Sequence, residues 1–215
     1  VAKLILARHG ETTWNSSLRY QGQQDIPLSA VGRRQAEALA QRLARVPIAA
    51  AYASDLSRAA ETAAIICRGR DLAVTRLPAL REAHFGAWEG LTYAEAAARW
   101  PEIARQRKLD PAGTRVPGGE TLAEVQARAQ AAVQAIERAH PPDATLLIVA
   151  HGGVLRALVC GFLGLDLRAA WRLRLDNCGL TIVETYPEGA ILMTLNDVSH
   201  LEELPHDGAV AATET

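Results

Sequence analysis

The sequence predicts an α/β protein: a mostly parallel sheet with helices on both faces and one antiparallel edge strand. Three observations predict it. Short apolar runs alternate with stretches of helical period along most of the chain. Such strand–helix repeats pair their strands in parallel through right-handed crossovers. The chain then closes on two strand-like runs around Pro187-Glu188-Gly189, which read as a hairpin.

Taken in order, Lys3 to Ala7 is an apolar run and reads as a buried strand. Ser29 caps a helix towards Val46, with Ala36, Leu39, Ala40 and Leu43 on one face, and Pro47 ends it. Ile48 to Ala53 is a second strand, Ser57 to Cys67 a helix, and Leu72 to Leu77 a third strand. Thr121 and Glu124 make a capping box. The helix behind it carries Val125, Ala129, Ala132, Val133 and Ile136 on one stripe and stops at Pro141-Pro142. Leu146 to Ala150 is a fourth strand, and Gly152-Gly153 opens an apolar helix to about Leu163. Leu180 to Thr185 and Ala190 to Leu195 are the hairpin strands. Residues 87–119 break the rhythm. They hold two short helical pieces, Tyr93 to Trp100 and Glu102 to Lys108, and a loop rich in Pro and Gly. This reads as a lid-like insertion over the carboxyl edge of the sheet. One domain is expected over 1–204, with a mobile tail at 205–215.

Composition narrows the class. The chain has 215 residues, 49% hydrophobic and 22% charged, with a net charge of -1, so it is expected to fold as a globular domain. Its basic residues are 21 Arg and 2 Lys, scattered along the chain against 24 Asp and Glu, which gives no global attraction to nucleic acid. No apolar run approaches a membrane span, and the apolar start is too short for a signal peptide. Cys67, Cys160 and Cys178 are few, distant and odd in number, so a reducing cytoplasm is the expected location.

Four short segments carry chemistry. Arg8-His9-Gly10 follows the first strand, Arg58 the second, Glu82 the third, and His151-Gly152-Gly153 the fourth. In a parallel sheet those strand ends share one edge, so the groups can converge. Two histidines, two arginines and a glutamate suit phosphoryl transfer. Arginine forks hold the charged oxygens, a neutral imidazole attacks phosphorus, and a carboxylic acid protonates the leaving alkoxide. For that last task Glu82 is expected to be buried beside apolar groups. A rival reading takes His9, His151 and Glu82 as a zinc site. Arg8 and Arg58 oppose a dication there, and a phosphate dianion is the better guest.

The chain resembles the histidine phosphatase superfamily, in the branch that includes the cofactor-dependent phosphoglycerate mutases. The resemblance rests on Leu6-Ala7-Arg8-His9-Gly10-Glu11-Thr12 with Trp14-Asn15, and on Ser54-x-Leu56-x-Arg58-Ala59-x-x-Thr62-Ala63. Glu82-x-x-Phe85-Gly86-x-Trp88-Glu89-Gly90, Pro117-Gly118-Gly119-Glu120-Thr121 and Val149-Ala150-His151-Gly152-Gly153 complete it. It implies a three-layer α/β/α sandwich and a phosphohistidine on His9, with no metal, nucleotide or other cofactor. It also implies a phosphate pocket of Arg8, Arg58 and His151 lined by Asn15, with Gln21 and Gly22 in a loop beside it, and Glu82 as the proton donor. Gly152 belongs to the same pocket. A homodimer is in keeping with the family.

Within the superfamily, the Trp88-Glu89-Gly90 form looks like the phosphatases. Mutases carry a longer insertion with an Arg-Arg pair for the glycerate carboxylate. The arginines between Gly90 and Gly118 are Arg99, Arg105, Arg107 and Arg115, and no two are adjacent. The expected activity is metal-independent hydrolysis of a small phosphorylated metabolite; the alternative is a phosphoglycerate mutase. A phospho-ligand binding protein without activity is disfavoured by the intact site. Arg19-Tyr20-Gln21-Gly22 and the late Asn196 with His200-Leu201-Glu202 look like phosphoserine and broad-specificity members. His84 and His200 are therefore candidate substrate contacts. Phe85 stands where such enzymes can carry a phosphoserine-reading histidine.

Overall fold

The computed structural model describes residues 1–202 and 204; the expected tail at 205–215 lies outside the described residues. Six strands form one sheet in the order β3-β2-β4-β1-β5-β6. They are β1 (Ala2–Arg8), β2 (Ala50–Ala53), β3 (Val74–Arg76), β4 (Thr145–Ala150), β5 (Leu180–Tyr186) and β6 (Gly189–Asp197). β1 to β4 run parallel. The hairpin packs on through β5, which pairs antiparallel with β1 and with β6. The reversed strand is β5, one in from the edge, and β6 forms the edge itself.

Alternation along the central strands makes the two helical layers. On β1, Leu4 and Leu6 point to one face and Ile5 and Ala7 to the other. On β4, Leu146, Ile148 and Ala150 oppose Leu147 and Val149 in the same way. One face is covered by α2 (Ala30–Arg42) and α3 (Ser57–Cys67), the other by α6 (Leu122–Arg138) and α7 (Gly152–Phe162). A central strand with apolar side chains on both faces has no solvated side, which is why β1 and β4 read as continuous apolar runs.

Helix starts reflect the chemistry of their caps. Ser29 accepts from the Gly32 N–H and opens α2. Thr121 accepts from the Glu124 N–H at 3.2 Å, while the Glu124 carboxylate accepts from the Thr121 N–H at 2.9 Å. The same reciprocal pair, Thr92 with Glu95, opens α4 (Tyr93–Arg99). Pro101 then starts α5 (Pro101–Leu109) directly behind it. The sequence does not reveal a four-residue helix, α1 (Thr13–Ser16), or the 3-10 turns at Pro78–Leu80, Gly86–Trp88, Leu167–Arg172 and Ser199–Leu201. All are too short to carry a readable period.

The 87–119 stretch packs rather than hangs. Trp88, Ala96, Ala104 and Val116 are buried in the same core as α6 and α7, with Tyr93, Trp100 and Ile103 packed against it. Cys67, Cys160 and Cys178 are buried free thiols. Among the described residues no helix is long and apolar enough to cross a membrane.

Thr121→Ala removes an acceptor from the first turn of the 17-residue α6. Such a loss costs about 1 kcal/mol. Urea unfolding of the variant should show a lower midpoint with an unchanged slope; an unshifted midpoint would mean that the capping box does not hold this helix.

Candidate active site

β1 and β4 are adjacent and in register, with Arg8 opposite Ala150. The residue after each strand is a histidine, so His9 and His151 leave the sheet side by side. Their rings are 5.1 Å apart, close to the spacing of neighbouring strands. Both are buried. Hydrogen bonds settle their tautomers. His9 Nδ1 donates to the Gly10 carbonyl at 2.7 Å, which leaves the lone pair of the neutral ring on Nε2. His151 Nδ1 accepts from Arg58 Nε at 3.2 Å, so its proton sits on Nε2, a buried atom with no hydrogen-bond partner.

Arg58 lies in the first turn of α3, just past β2, and is fully buried. Its fork is occupied by main chain: Nη1 donates to Gln24 O and Nη2 to Gly22 O, both at 2.7 Å. Glu89 builds that cradle, accepting from the Gln23 and Phe85 N–H groups and from the Gln24 side chain. Gly22 is needed for two reasons. Its φ is +53°, and a Cβ there would lie 2.0 Å from Glu89 Oε1. Arg8 donates through Nη1 to Leu175 O, while its buried Nε has no partner. Burial first, and Arg156 next, lower the Arg8 pKa to about 10. Burial brings Arg58 to about 10 as well, so both stay charged at neutral pH. Burial, then Arg58, push both imidazoles well below the ordinary histidine value, and both are neutral at pH 7.

Glu82 comes after β3 and the Pro78–Leu80 turn. The sequence leads one to expect it among apolar groups; the structure puts it on the N-terminus of α7. Its oxygens accept from the N–H groups of Ala83 (2.9 Å), Gly153 (2.9 Å) and Val154 (3.1 Å). Two of these are the orphan donors of a helix whose N-cap, His151, supplies no side-chain cap. A Cβ at Gly153 would lie 2.5 Å from Glu82 Oε1, so glycine is what lets the carboxylate dock.

The other sequence candidates fall into two groups. Asn15, Gly152 and the Gln21–Gly22 loop join the site. Asn15 Oδ1 lies 3.5 Å from Asn177 Nδ2, which also donates to His9 O at 2.8 Å. A Cβ on Gly152 would touch Arg8 Nε at 3.5 Å. Gln21 is buried with Oε1 unpartnered. His84 bonds within its own turn, and His200 bonds to the Cys178 carbonyl beside the end of β1. His84 Nδ1 accepts from the Gly86 N–H. His200 Nε2 donates to Cys178 O at 3.0 Å, and its charged neighbours are Asp197 and Arg42. Cys178 in turn donates its N–H to Arg8 O.

Four residues at the site are given no role by the sequence reading, although Thr62 stands in the motif around Arg58. Thr62 accepts from the Gly10 N–H and donates to Arg58 O; its place one turn after Arg58 is the available signal. Arg156 is the one charge in the otherwise apolar α7, which could have flagged it. Arg128, on α6, donates to Ala79 O, Glu82 O and both Glu120 oxygens, and nothing in the sequence marks it. Asn177 gives no signal either. Among the described residues no group of three or more His, Cys, Asp or Glu side chains is arranged to hold a metal ion.

The model of the histidine phosphatase superfamily (branch 1) matches residues 4–198. The chain belongs to that superfamily. Phosphoserine phosphatase 1 of Hydrogenobacter thermophilus is 34% identical over 203 residues, covering 94% of this chain and 96% of that protein. A probable phosphoglycerate mutase, GpmB, of Yersinia enterocolitica is 37% identical over 206 residues, covering 93% and 95%. The solved structure of Bacillus stearothermophilus YhfR superposes with a TM-score of 0.87 at 38% identity, covering 94% of this chain and all (100%) of that one. The histidine phosphatase fold expected from the motifs is the fold observed.

The neutral histidines make stability depend on pH. An unfolded histidine takes a proton near pH ~6.5. The native chain keeps His9 and His151 unprotonated well below that value. Below ~6.5 the unfolded state therefore binds more protons, and stability falls as pH falls. Urea titrations from pH 8 to pH 5 should show this loss. His151→Gln, which can still accept from Arg58, should reduce the slope by about one proton. An unchanged slope would mean that His151 is not held neutral.

Proposed function

We propose that this protein hydrolyses small phosphomonoesters without a metal, through a phosphohistidine on His9. One observation carries the reading. Two adjacent neutral imidazoles hold opposite tautomers, one with its lone pair on Nε2 and the other with an unpartnered Nε2–H, beside the unpartnered Nε of Arg8. A phosphoryl group meets its nucleophile and two charge-stabilising donors there at once.

In the first step His9 Nε2 attacks phosphorus. The N–P bond forms, the P–O ester bond breaks, and the leaving alkoxide takes the proton of the Glu82 carboxylic acid. Arg8, Arg58 and His151 hold the charge on the phosphoryl oxygens. In the second step Glu82 takes a proton from water, the water oxygen attacks phosphorus, and the N–P bond breaks. Phosphate leaves, His9 is neutral again and Glu82 is protonated. The guanidiniums beside both imidazoles repel a dication, which favours this chemistry over a zinc site.

The name of the H. thermophilus relative supports phosphatase chemistry, and the Trp88-Glu89-Gly90 form agrees with it. The name of the Yersinia relative supports a second reading, a phosphoglycerate mutase. In that case the phosphohistidine passes its phosphoryl group back to substrate rather than to water.

Phosphate release from a phosphomonoester panel in the presence of chelator tests the proposal. His9→Ala should abolish turnover, and Glu82→Gln should slow it by roughly 10²–10⁴-fold. Arg58→Ala should cost on the order of 10²-fold or more. Full activity of His9→Ala would overturn the mechanism. Exchange of phosphoglycerate isomers without release would replace hydrolysis with mutase activity.

A further inference from the structure

The His9 ring is steered by main chain, and that main chain is itself held. Two peptide units flank Gly10. In the first, the His9 carbonyl accepts from Asn177 Nδ2 at 2.8 Å, and the Gly10 N–H donates to Thr62 Oγ1 at 3.0 Å. In the second, the Gly10 carbonyl accepts from His9 Nδ1 at 2.7 Å, and the Glu11 N–H donates to Gln35 Oε1 at 2.9 Å. The chemistry above uses the histidine end of this second unit and leaves Gln35 without a role.

A peptide unit is planar and trans, so its N–H and its carbonyl point in opposite directions and turn together. An acceptor on the Glu11 N–H therefore sets the direction of the Gly10 oxygen. It also polarises the amide and makes that oxygen a better acceptor. Gln35 stands in α2, half-buried, one turn after Gly32. Gly10 and Gly32 permit the close approach. A Cβ on Gly32 would lie 2.7 Å from Glu11 N and 2.1 Å from Glu11 O, and one on Gly10 would lie 2.3 Å from Gly32 O. The loop after β1 thus lies against the backbone of α2, within reach of the Gln35 amide.

We propose that Gln35 is a positioning residue, which fixes the tautomer of His9 through the Gly10–Glu11 peptide. The relay runs from His9 Nδ1–H to the Gly10 carbonyl, and from the Glu11 N–H to Gln35 Oε1. The proton is kept on Nδ1, and Nε2 keeps its lone pair. The catalytic consequence rests on the phosphatase reading and deepens it. When Nε2 bonds to phosphorus the ring turns positive, and its Nδ1–H bond to a polarised carbonyl strengthens. Without Gln35 the Glu11 N–H is left unsatisfied. It turns towards another acceptor and swings the Gly10 oxygen away from the ring.

Nitrogen NMR of protein labelled at its histidine rings tests this, with His9 assigned by the signals lost in His9→Gln. The unmodified protein should show a neutral His9 ring protonated on Nδ1. Gln35→Met is close in shape but carries no acceptor. It should move signal to the Nε2–H tautomer and lower kcat roughly tenfold, the worth of one hydrogen bond, with little change in KM. Gln35→Glu keeps an oxygen on the Glu11 N–H and should keep the tautomer and most of kcat. If Gln35 merely ties α2 to the loop, Gln35→Met loses stability yet leaves the His9 tautomer as it was, which overturns the proposal. A ring protonated on Nε2 in the unmodified protein does the same. Should Gln35→Met not fold, Gln35→Asn, whose acceptor is one bond shorter, is read by the same signals. The spectra need no turnover. Failure to release phosphate from any phosphomonoester therefore overturns the phosphatase reading, while the spectra still decide the relay.

Discussion

The parallel pairing of β1 with β4 is the constraint on which the site depends. Arg8 sits opposite Ala150, so the chain leaves both strands at the same level and delivers His9 and His151 to one point. A slip of β1 by one residue would turn Leu4 and Leu6 away from the layer that Leu146 and Ile148 face and into the other. The core thus fixes the distance between the two imidazoles. The spacing of the histidine pair is a by-product of burying alternate apolar side chains on two faces.

Positive charge enclosed beside two imidazoles poses an electrostatic problem, and the main chain solves it. Arg58 is fully buried, yet its fork is held by the carbonyls of Gly22 and Gln24. Carbonyls satisfy the donors without cancelling the charge. Its field, together with burial, keeps both imidazoles neutral, the form that a nucleophile requires. Glu89 achieves this at one remove, by tying down the loop that carries those carbonyls. The Trp88-Glu89-Gly90 segment therefore builds the Arg58 cradle from behind.

The strands, the main helices and the five central residues are legible because each is written locally. An apolar run ends, and a residue of distinctive chemistry comes next. The capping boxes at Thr92 and Thr121 span three residues and need no tertiary knowledge. The Glu82 environment is illegible for the opposite reason. Its partners Gly153 and Val154 are 71 and 72 residues away, and no local pattern says that a helix N-terminus waits there. Asn177 is hidden on the same ground. It looks like an ordinary polar residue until the fold brings its amide to His9 O.

Glu82 also explains why the 87–119 insertion and the sheet act as one frame. Its carbonyl accepts from Arg128 on α6, and Arg128 is gripped by both oxygens of Glu120 at the end of the insertion. Glu120 Oε2 accepts the N–H of His84 in turn, two residues past Glu82. Glu82 is thus fixed from two sides, its carboxylate by α7 and its backbone by α6. In the mechanism we propose, Glu82 gives a proton to one oxygen and takes one from another, and a group with that task cannot wander between the two events. Anchoring it on a helix N-terminus and on a half-buried arginine strut meets that demand with rigid elements rather than with a loop alone.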